Sequence, residues 1–436
     1  MVGVGGQDRW KVPFFSIWAG QAISLVGSKV AQFALVWWLT EMTGSATVLA
    51  TATLVALIPE ILLSPLAGVY VDRWNRRVVM LVADGLVALA ALWLAYQFKI
   101  GTVQVWHVYA IMFVRSVAGS FHWPAMQAST SLMVPKEQLS RVAGLNQTIY
   151  GALNIVGPPL GALLMMLLPL HGVMFVDIST ALLAMGLLFL VHIPQPDRAN
   201  LGQDAVGRPS VWADLRQGLR YVGNWPGLMA LIAAAMIVKI ALTPAFSLLP
   251  LLVSQHFGGS ATQFSLLQSI VGVGMLLGGL LLSVWGGFRR RIYTTLSAMA
   301  ILGLSFAILG LTPGNFFWLA LASTFIAGLM IPLIDGPIMA IVQGNVVPGM
   351  QGRVFTIMGS LLSITSPLSL ALAGPLSDAL GLQVWYVTAG VLCAIVAMAG
   401  FFVPAIVQIE ENHGGPVSLQ RCGMSRPAAD AALAME

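Results

Sequence analysis

Long apolar runs alternate with short polar breaks along nearly the whole chain. Twelve runs, at about 14–40, 46–71, 78–98, 103–134, 142–170, 172–194, 225–257, 261–288, 292–311, 316–348, 354–377 and 382–409, are long enough to matter. A helix of roughly 20 apolar residues crosses a hydrocarbon core of about 30 Å. Backbone in lipid must satisfy its own hydrogen bonds, so each run reads as a helix. The pattern predicts an all-α membrane protein with twelve transmembrane helices.

One long polar interruption, 195–224, separates six runs from six, with 1–13 and 410–436 as polar termini and 14–194 and 225–409 as the two halves. Pro194, Pro196 and Pro209 break up that loop, and Ser210 is placed to cap a short helix. Its apolar face of Val211, Leu215, Leu219 and Val222 suits the membrane surface, and an ordinary linker helix fits as well.

The halves repeat each other. Gly44-Ser45-Ala46-Thr47 recurs as Gly259-Ser260-Ala261-Thr262, and Pro124 and Pro135 recur as Pro337 and Pro348. Val134-Pro135 followed by Arg141 matches Val347-Pro348 followed by Arg353. Two pseudo-symmetric six-helix halves follow, a layout of secondary transporters that keep their substrate site near the midplane.

Composition agrees, with 58% hydrophobic and 8% charged residues against about 25% charged in soluble domains. Numbering the connections alternately puts Lys99 alone on one side. The other side takes Arg9, Lys11, Arg73, Arg76, Arg77, Lys136, Arg141, Arg198, Arg208, Arg216, Arg220, Arg289, Arg290, Arg291, Arg353, Arg421 and Arg426. Positive loops stay inside, so both termini and the central loop are expected in the cytoplasm of a bacterial inner membrane. The net charge of +5 comes from these anchors and does not argue for nucleic acid. Cys393 and Cys422 give no disulfide framework. The first span reads as an uncleaved insertion signal.

Between spans 2 and 3 stands Gly68-Val-Tyr-Val-Asp72-Arg73-Trp-Asn-Arg76-Arg77. This G-x-x-x-D-R-x-x-R-R run resembles the signature of the major facilitator superfamily. The resemblance implies a conformational latch in which Gly68 permits close helix approach and Asp72 faces a helix N-terminus. Arg73, Arg76 and Arg77 can pair there with acids or lipid phosphates. The matching loop, Trp285-Gly-Gly-Phe-Arg289-Arg290-Arg291, has no aspartate, so an asymmetric latch is expected. Gly144, Gly157, Pro158 and Gly161 resemble the antiporter motif of the same superfamily, with Leu153 and Ala162 in place of two of its glycines. Small residues there allow close helix packing. Phe15-Ser-Ile-Trp-Ala-Gly-Gln, Arg115-Ser-Val-Ala-Gly-Ser-Phe-His-Trp-Pro-Ala and Val134-Pro-Lys-Glu-Gln-Leu are similar to the macrolide-efflux type of drug:proton antiporter.

Ionisable residues inside spans complete the candidate site. Lys29, Arg115, Lys239, Glu60, Asp84 and Asp335 sit mid-span, each at a cost of about 2.5–3.5 kcal/mol when unpaired. They must pair or face water, as functional groups or as static bridges between helices. Gln21, Ser24, Ser28, Lys29 and Gln32 fall on one broad face of span 1, and Lys239, Thr243 and Ser247 form a stripe on span 7. On span 4, Arg115, Gly119, His122 and Met126 share a face, with Trp123 beside it as an aromatic wall or a packing residue. The repeat maps His122 onto Asp335, the favoured proton carrier, with Glu60 and Asp84 as rivals. Asp177 lies near the end of span 6 and reads as structural.

These features predict proton-coupled efflux of an amphipathic small molecule, such as a macrolide, by alternating access. An exporter of a siderophore or lipid-like metabolite is the alternative, and a nutrient importer a more distant one. No G-x-x-x-x-G-K-[ST] phosphate loop, H-E-x-x-H or zinc-type cysteine spacing is present, so no catalytic or metal site is expected. No cofactor is needed beyond the proton gradient. One proton at about 150 mV supplies about 3.5 kcal/mol, which supports a gradient of roughly 300-fold. The expected partners are the substrate, protons and membrane lipids, with the chain working as a monomer.

Overall fold

The computed structural model describes residues 10–191, 193, 211–346 and 348–410. Its long helices are α1 (Lys11–Thr43), α2 (Ala46–Arg73), α3 (Arg76–Ile100), α4 (Val105–Met133), α5 (Leu139–Leu167) and α6 (Leu170–Leu190). The second set is α8 (Pro226–Ser247), α10 (Ala261–Trp285), α11 (Arg291–Leu311), α12 (Phe317–Asn345), α13 (Pro348–Leu380) and α14 (Leu382–Phe402). The short helices are α7 (Val211–Gly223), α9 (Leu249–Leu251) and α15 (Pro404–Val407). Among the described residues there is no strand. Eleven helices are apolar and long enough to span a membrane. The twelfth, α4, has 29 residues and the necessary length, but Arg115, His122 and its many hydroxyls dilute its hydropathy.

Helix starts follow local chemistry. Ser45 Oγ accepts from Val48 N at 3.3 Å at the head of α2, and Asn75 Oδ1 accepts from Arg77 N at 3.1 Å at the head of α3. The repeated Gly-Ser-Ala-Thr opens α10 as well, where Gln263 Oε1 accepts from Ser260 N at 2.8 Å. In each case a side chain satisfies a donor that the first helical turn leaves free. Gly44, at φ 57°, closes α1 in the left-handed region that a glycine enters without strain.

Two expected spans are interrupted. In the run at 225–257 the long helix stops at Ser247, Leu248 turns, and the short α9 leads into a wider π turn over Leu252–His256. Pro250 has no N–H to offer the carbonyl four residues back, which ends the regular helix. Near 403, Pro404 separates α14 from α15 for the same reason.

The chain forms two compact units. One takes the described residues of Met1–Ala199 with Ser247–Gly272 and Ala373–Ala379; the other takes those of Asn200–Phe246, Val273–Leu372 and Leu380–Glu436. In the first, glycines of α1 admit α6. A Cβ on Gly27 would meet Thr180 Oγ1 and come within 3.1 Å of the Asp177 backbone, and Gly20 faces Ala184 and Leu187 in the same way. In the second, Gly303 and Gly390 let α11 and α14 touch through their backbones. Without a hydrophobic drive between helices in lipid, such close packing holds a membrane bundle together. The outer faces are apolar, as Val284 at 87% and Leu190 at 81% exposure illustrate.

The central helix α7 exists, but it packs on protein. Tyr221 and Val222 are buried against Leu228, Ile232, Val342, Val346, Val354 and Ile357, and Gly218 lies under Ile357 and Arg353. Leu219 points out instead, at 46% exposure. The side chains of Val211 and Leu215, and all of Ser210, lie outside the described residues. Where the second-half loop has no aspartate, Glu410 caps α11 by accepting from Ile292 N at 2.9 Å.

Candidate functional site

The first unit encloses a cavity of about 260 Å³ between α1, α3, α4 and α6. Gln21, Ser24, Leu25 and Ser28 enter it from α1, Asp84 from α3, and Arg115, Gly119, His122 and Trp123 from α4. Spacing explains the last set, because positions 115, 119 and 122 stack on one face of a helix. A Cβ on Gly119 would meet nothing within 4 Å, so this glycine leaves the space open.

Two acids sit here in different states of satisfaction. Asp177 is 1% exposed and closed on all sides. Arg115 Nη1 donates to its Oδ2 at 2.6 Å, and Ser28 Oγ donates to its Oδ1 at 3.0 Å. The second guanidinium arm of Arg115 donates to the Ser28 carbonyl at 3.2 Å. Such a pair is worth little over an apolar contact, but removing one partner typically costs about 3–5 kcal/mol. Asp177 is therefore the partner of Arg115, a role its position near the end of span 6 did not suggest.

Asp84 is the open acid. Gln21 Nε2 donates to its Oδ2 at 3.2 Å. His122 Nε2 lies 3.3 Å from its Oδ1 without the alignment of a hydrogen bond. The contact becomes an ion pair when the imidazole carries a second proton. Trp123 is 44% exposed and meets the Tyr150 ring edge-on at 5.4 Å.

The remaining candidates lie elsewhere. Lys239 and Asp335 are in the second unit, where each feels the other's charge. Glu60 and Gln32 are exposed, and neither lines the cavity. Lys29 lays its stem against Gly157, whose added Cβ would be 3.4 Å from Lys29 Cβ. Ser247 shares a 2.6 Å hydrogen bond with Thr53, and Thr243 is half-buried. A Cβ on Gly161 would come within 2.7 Å of the Phe33 ring, whereas one on Gly144 would meet nothing within 4 Å; Pro158 is buried within α5.

In the signature loop two arginines bond to helix-end carbonyls. Arg76 donates to the Ala128 carbonyl at 2.7 Å. Arg77 donates to the Leu188 carbonyl at 3.1 Å and to the Phe189 carbonyl, with its guanidinium 5.2 Å from the Phe189 ring. Helix C-termini carry partial negative charge, and these arginines tie the ends of α4 and α6 to α3. A Cβ on Gly68 would touch nothing within 4 Å among the described residues. Arg73 is exposed, and the Asp72 side chain lies outside the described residues.

Twelve long helices with paired charges buried among them define a multi-pass transporter of the major facilitator type. The D-xylose-proton symporter has the same fold, with a TM-score of 0.63 at 15% identity over 92% of this chain and 99% of that one. The profile of the family described as transmembrane secretion effector matches residues 10–414, and the chain belongs to that family. Macrolide efflux protein A of Streptococcus pyogenes is 33% identical over 90% of this chain and 96% of its own length. Multidrug efflux pump Tap of Mycolicibacterium fortuitum is 26% identical over 88% of this chain and 94% of its own. The chain is thus a transporter of a small-molecule substrate in a bacterial membrane rather than an enzyme.

Proposed function

We propose that this protein exports an amphipathic drug-like molecule of the macrolide type from the cytoplasm in exchange for protons, by alternating access. The identity to a macrolide efflux protein along almost the full length of both chains carries this reading. A chain that only stayed put in the bilayer would gain nothing from an Asp84 held by one long hydrogen bond beside an imidazole. The protein works as a monomer, with both termini cytoplasmic, lipids around its apolar faces and no cofactor beyond the gradient. Asp72 and its neighbouring arginines act as the cytoplasmic latch. Asp335, beside Lys239, carries a proton in the second half.

Everted vesicles from a pump-deficient bacterium expressing the chain provide the test. Radiolabelled macrolide should accumulate when the gradient is formed and leave when a protonophore is added. Accumulation that persists with the protonophore, or no accumulation of any member of a drug panel, overturns the reading.

A further inference from the structure

The repeated turns between α2 and α3 and between α10 and α11 use their arginines differently. In the first, Arg76 is buried, and it and Arg77 donate to carbonyls near the ends of α4 and α6. In the second, Arg289, Arg290 and Arg291 are all exposed. Arg291, the counterpart of Arg76 in the repeat, keeps only a lengthened form of its bond, reaching the Ala340 carbonyl of α12 at 3.4 Å. Arg289 has no hydrogen bond or ion pair among the described residues. Nor does the helix behind them call for cations. Arg290 takes the N-cap position of α11 without a side-chain cap, a guanidinium has no acceptor to offer, and positive charge is disfavoured at that end of a helix. Glu410 does the capping, so the turn holds three guanidiniums and one carboxylate.

The backbone fixes the shape of this turn. Gly286 and Gly287 both take positive φ, 76° and 82°, a conformation that glycine enters without strain. The Phe288 N–H donates to Thr294 Oγ1 at 2.8 Å, and Gly287 lies so close that an added Cβ would meet the same oxygen. The fold-back leaves Trp285 and Phe288 exposed side by side, with ring centroids 4.9 Å apart. Tryptophan at the end of a spanning helix belongs at the boundary between hydrocarbon and headgroups. Further into the span, α10 exposes Val284, Leu281, Leu280 and Leu277, an apolar flank suited to acyl chains. Guanidiniums, aromatic rings and apolar flank follow one another in the order of a phospholipid's phosphate, ester groups and chains.

We propose that the turn between α10 and α11 binds the headgroup phosphate of an anionic phospholipid, with Arg289 and Arg290 on the phosphate, Trp285 and Phe288 at the depth of the ester groups, and the α10 leucines beside the chains. A guanidinium offers phosphate oxygens two parallel donors, where an ammonium offers a point charge. Net positive charge at the turn selects an anionic headgroup over a zwitterionic one, whose own ammonium it would repel. Free phosphate would meet the arginines but gain nothing from the apolar flank.

Native mass spectrometry of the full chain in detergent tests it, with phosphatidylglycerol and phosphatidylcholine of identical acyl chains as probes. The parent should prefer phosphatidylglycerol by about tenfold or more. Arg289→Gln with Arg290→Gln should weaken that binding by about 25-fold, at about fivefold for each basic residue beside an anionic headgroup. Lys136→Gln with Arg141→Gln removes the same charge from exposed positions between α4 and α5 and should leave it unchanged. Arg289→Lys, Arg290→Lys and Arg291→Lys together keep the charge without the planar fork and should fall between. Inorganic phosphate at the concentration of the lipid should not displace it. Equal binding in the parent and the Arg289 and Arg290 glutamine pair overturns the proposal. An equal loss in the Lys136 and Arg141 pair does so too, because it would mean attraction by bulk charge. Displacement by inorganic phosphate would make the turn a plain anion site and overturn the lipid assignment. Should the first glutamine pair fail to fold, Arg289→Gln alone, at an exposed side chain, decides by the same comparison.

Discussion

An exposed carboxylate at the far end of α13 makes three hydrogen bonds to the start of α2. Asp378 Oδ1 accepts from Ala46 N at 2.7 Å, and its Oδ2 accepts from Thr47 N at 3.0 Å and from Ser45 Oγ at 2.9 Å. Ser45 in turn caps Val48 N, so residues far apart in sequence share the capping of one helix. Behind this contact Gly374 lies so close that its Cβ would be 2.8 Å from Thr47 Cα and 3.1 Å from Ala50 Cβ. Gln255 Nε2 donates to the Gly44 carbonyl at 2.7 Å beside it. All of these residues belong to the first unit.

Losing an N-cap costs about 0.5–2 kcal/mol, and a carboxylate near an exposed helix N-terminus contributes about 0.3–1 kcal/mol under screening. The freed N–H groups can reach water here, so the combined loss in Asp378→Ala is about 1–2 kcal/mol, a factor of about 5–30 in population. Ala50 is 2% exposed under Gly374. In a background with Cys393→Ala and Cys422→Ser, Ala50→Cys should react with a maleimide only when this contact opens. With labelling slow relative to closing, its rate reports the open population, and Asp378→Ala should raise it about 5–30-fold by the same estimate. Asp378→Asn keeps one acceptor and should fall between. A rate within twofold of the parent in Asp378→Ala would show that apolar packing, and not the carboxylate, holds these helices together.

Other substitutions separate packing from charge. Arg115→Ala leaves Asp177 buried without its cation and should cost about 3–5 kcal/mol in thermal unfolding. Arg115→Gln with Asp177→Asn should recover most of that, and a cost below about 1 kcal/mol for either single change would refute the buried pair. Gly161→Ala drives its methyl into the root of the Phe33 ring, which stacks on Phe264 at 5.2 Å, and should destabilise by about 1–3 kcal/mol. Gly144→Ala, with open space around it, should leave unfolding unchanged; equal effects of the two would mean that the antiporter-like glycines do not act through packing. Asp335→Asn should bind drug normally in equilibrium dialysis while losing proton-driven accumulation in vesicles, and retained accumulation would move the carrier elsewhere.

The spans were legible because lipid imposes a pattern that local sequence must obey. Apolar length marks eleven helices directly, and α4 could be read only by tolerating the polar residues that line its cavity. The helix breaks at Leu248 and Val403 carried a visible signal in Pro250 and Pro404, which apolar run length alone passed over. Rotation around a helix was harder. Ser28 and Lys29 looked like one face, yet one residue is about 100° of turn. Ser28 reaches Asp177 while Lys29 turns to Gly157.

Partnership across the bundle is where single-sequence reasoning stopped. Depth measured along span 6 made Asp177 look peripheral, but Gly20 and Gly27 bring α6 against α1 and seat that carboxylate between Ser28 and Arg115. Asp378 stands 333 residues from Ser45, and no local pattern links them. The repeat does show where the symmetry fails. Shifting Asp378 back by the repeat interval lands among Leu163, Leu164 and Met165, with no acid to cap α10. There Thr262 Oγ1 donates to Met166 Sδ at 3.9 Å, and Gln263 supplies the cap from its own helix. The same motif thus starts both helices, but only α2 has its first turn held by a charge from the other half of the sequence. The repeat preserves the start of the helix while the charge that holds it is present in one copy, in a single carboxylate.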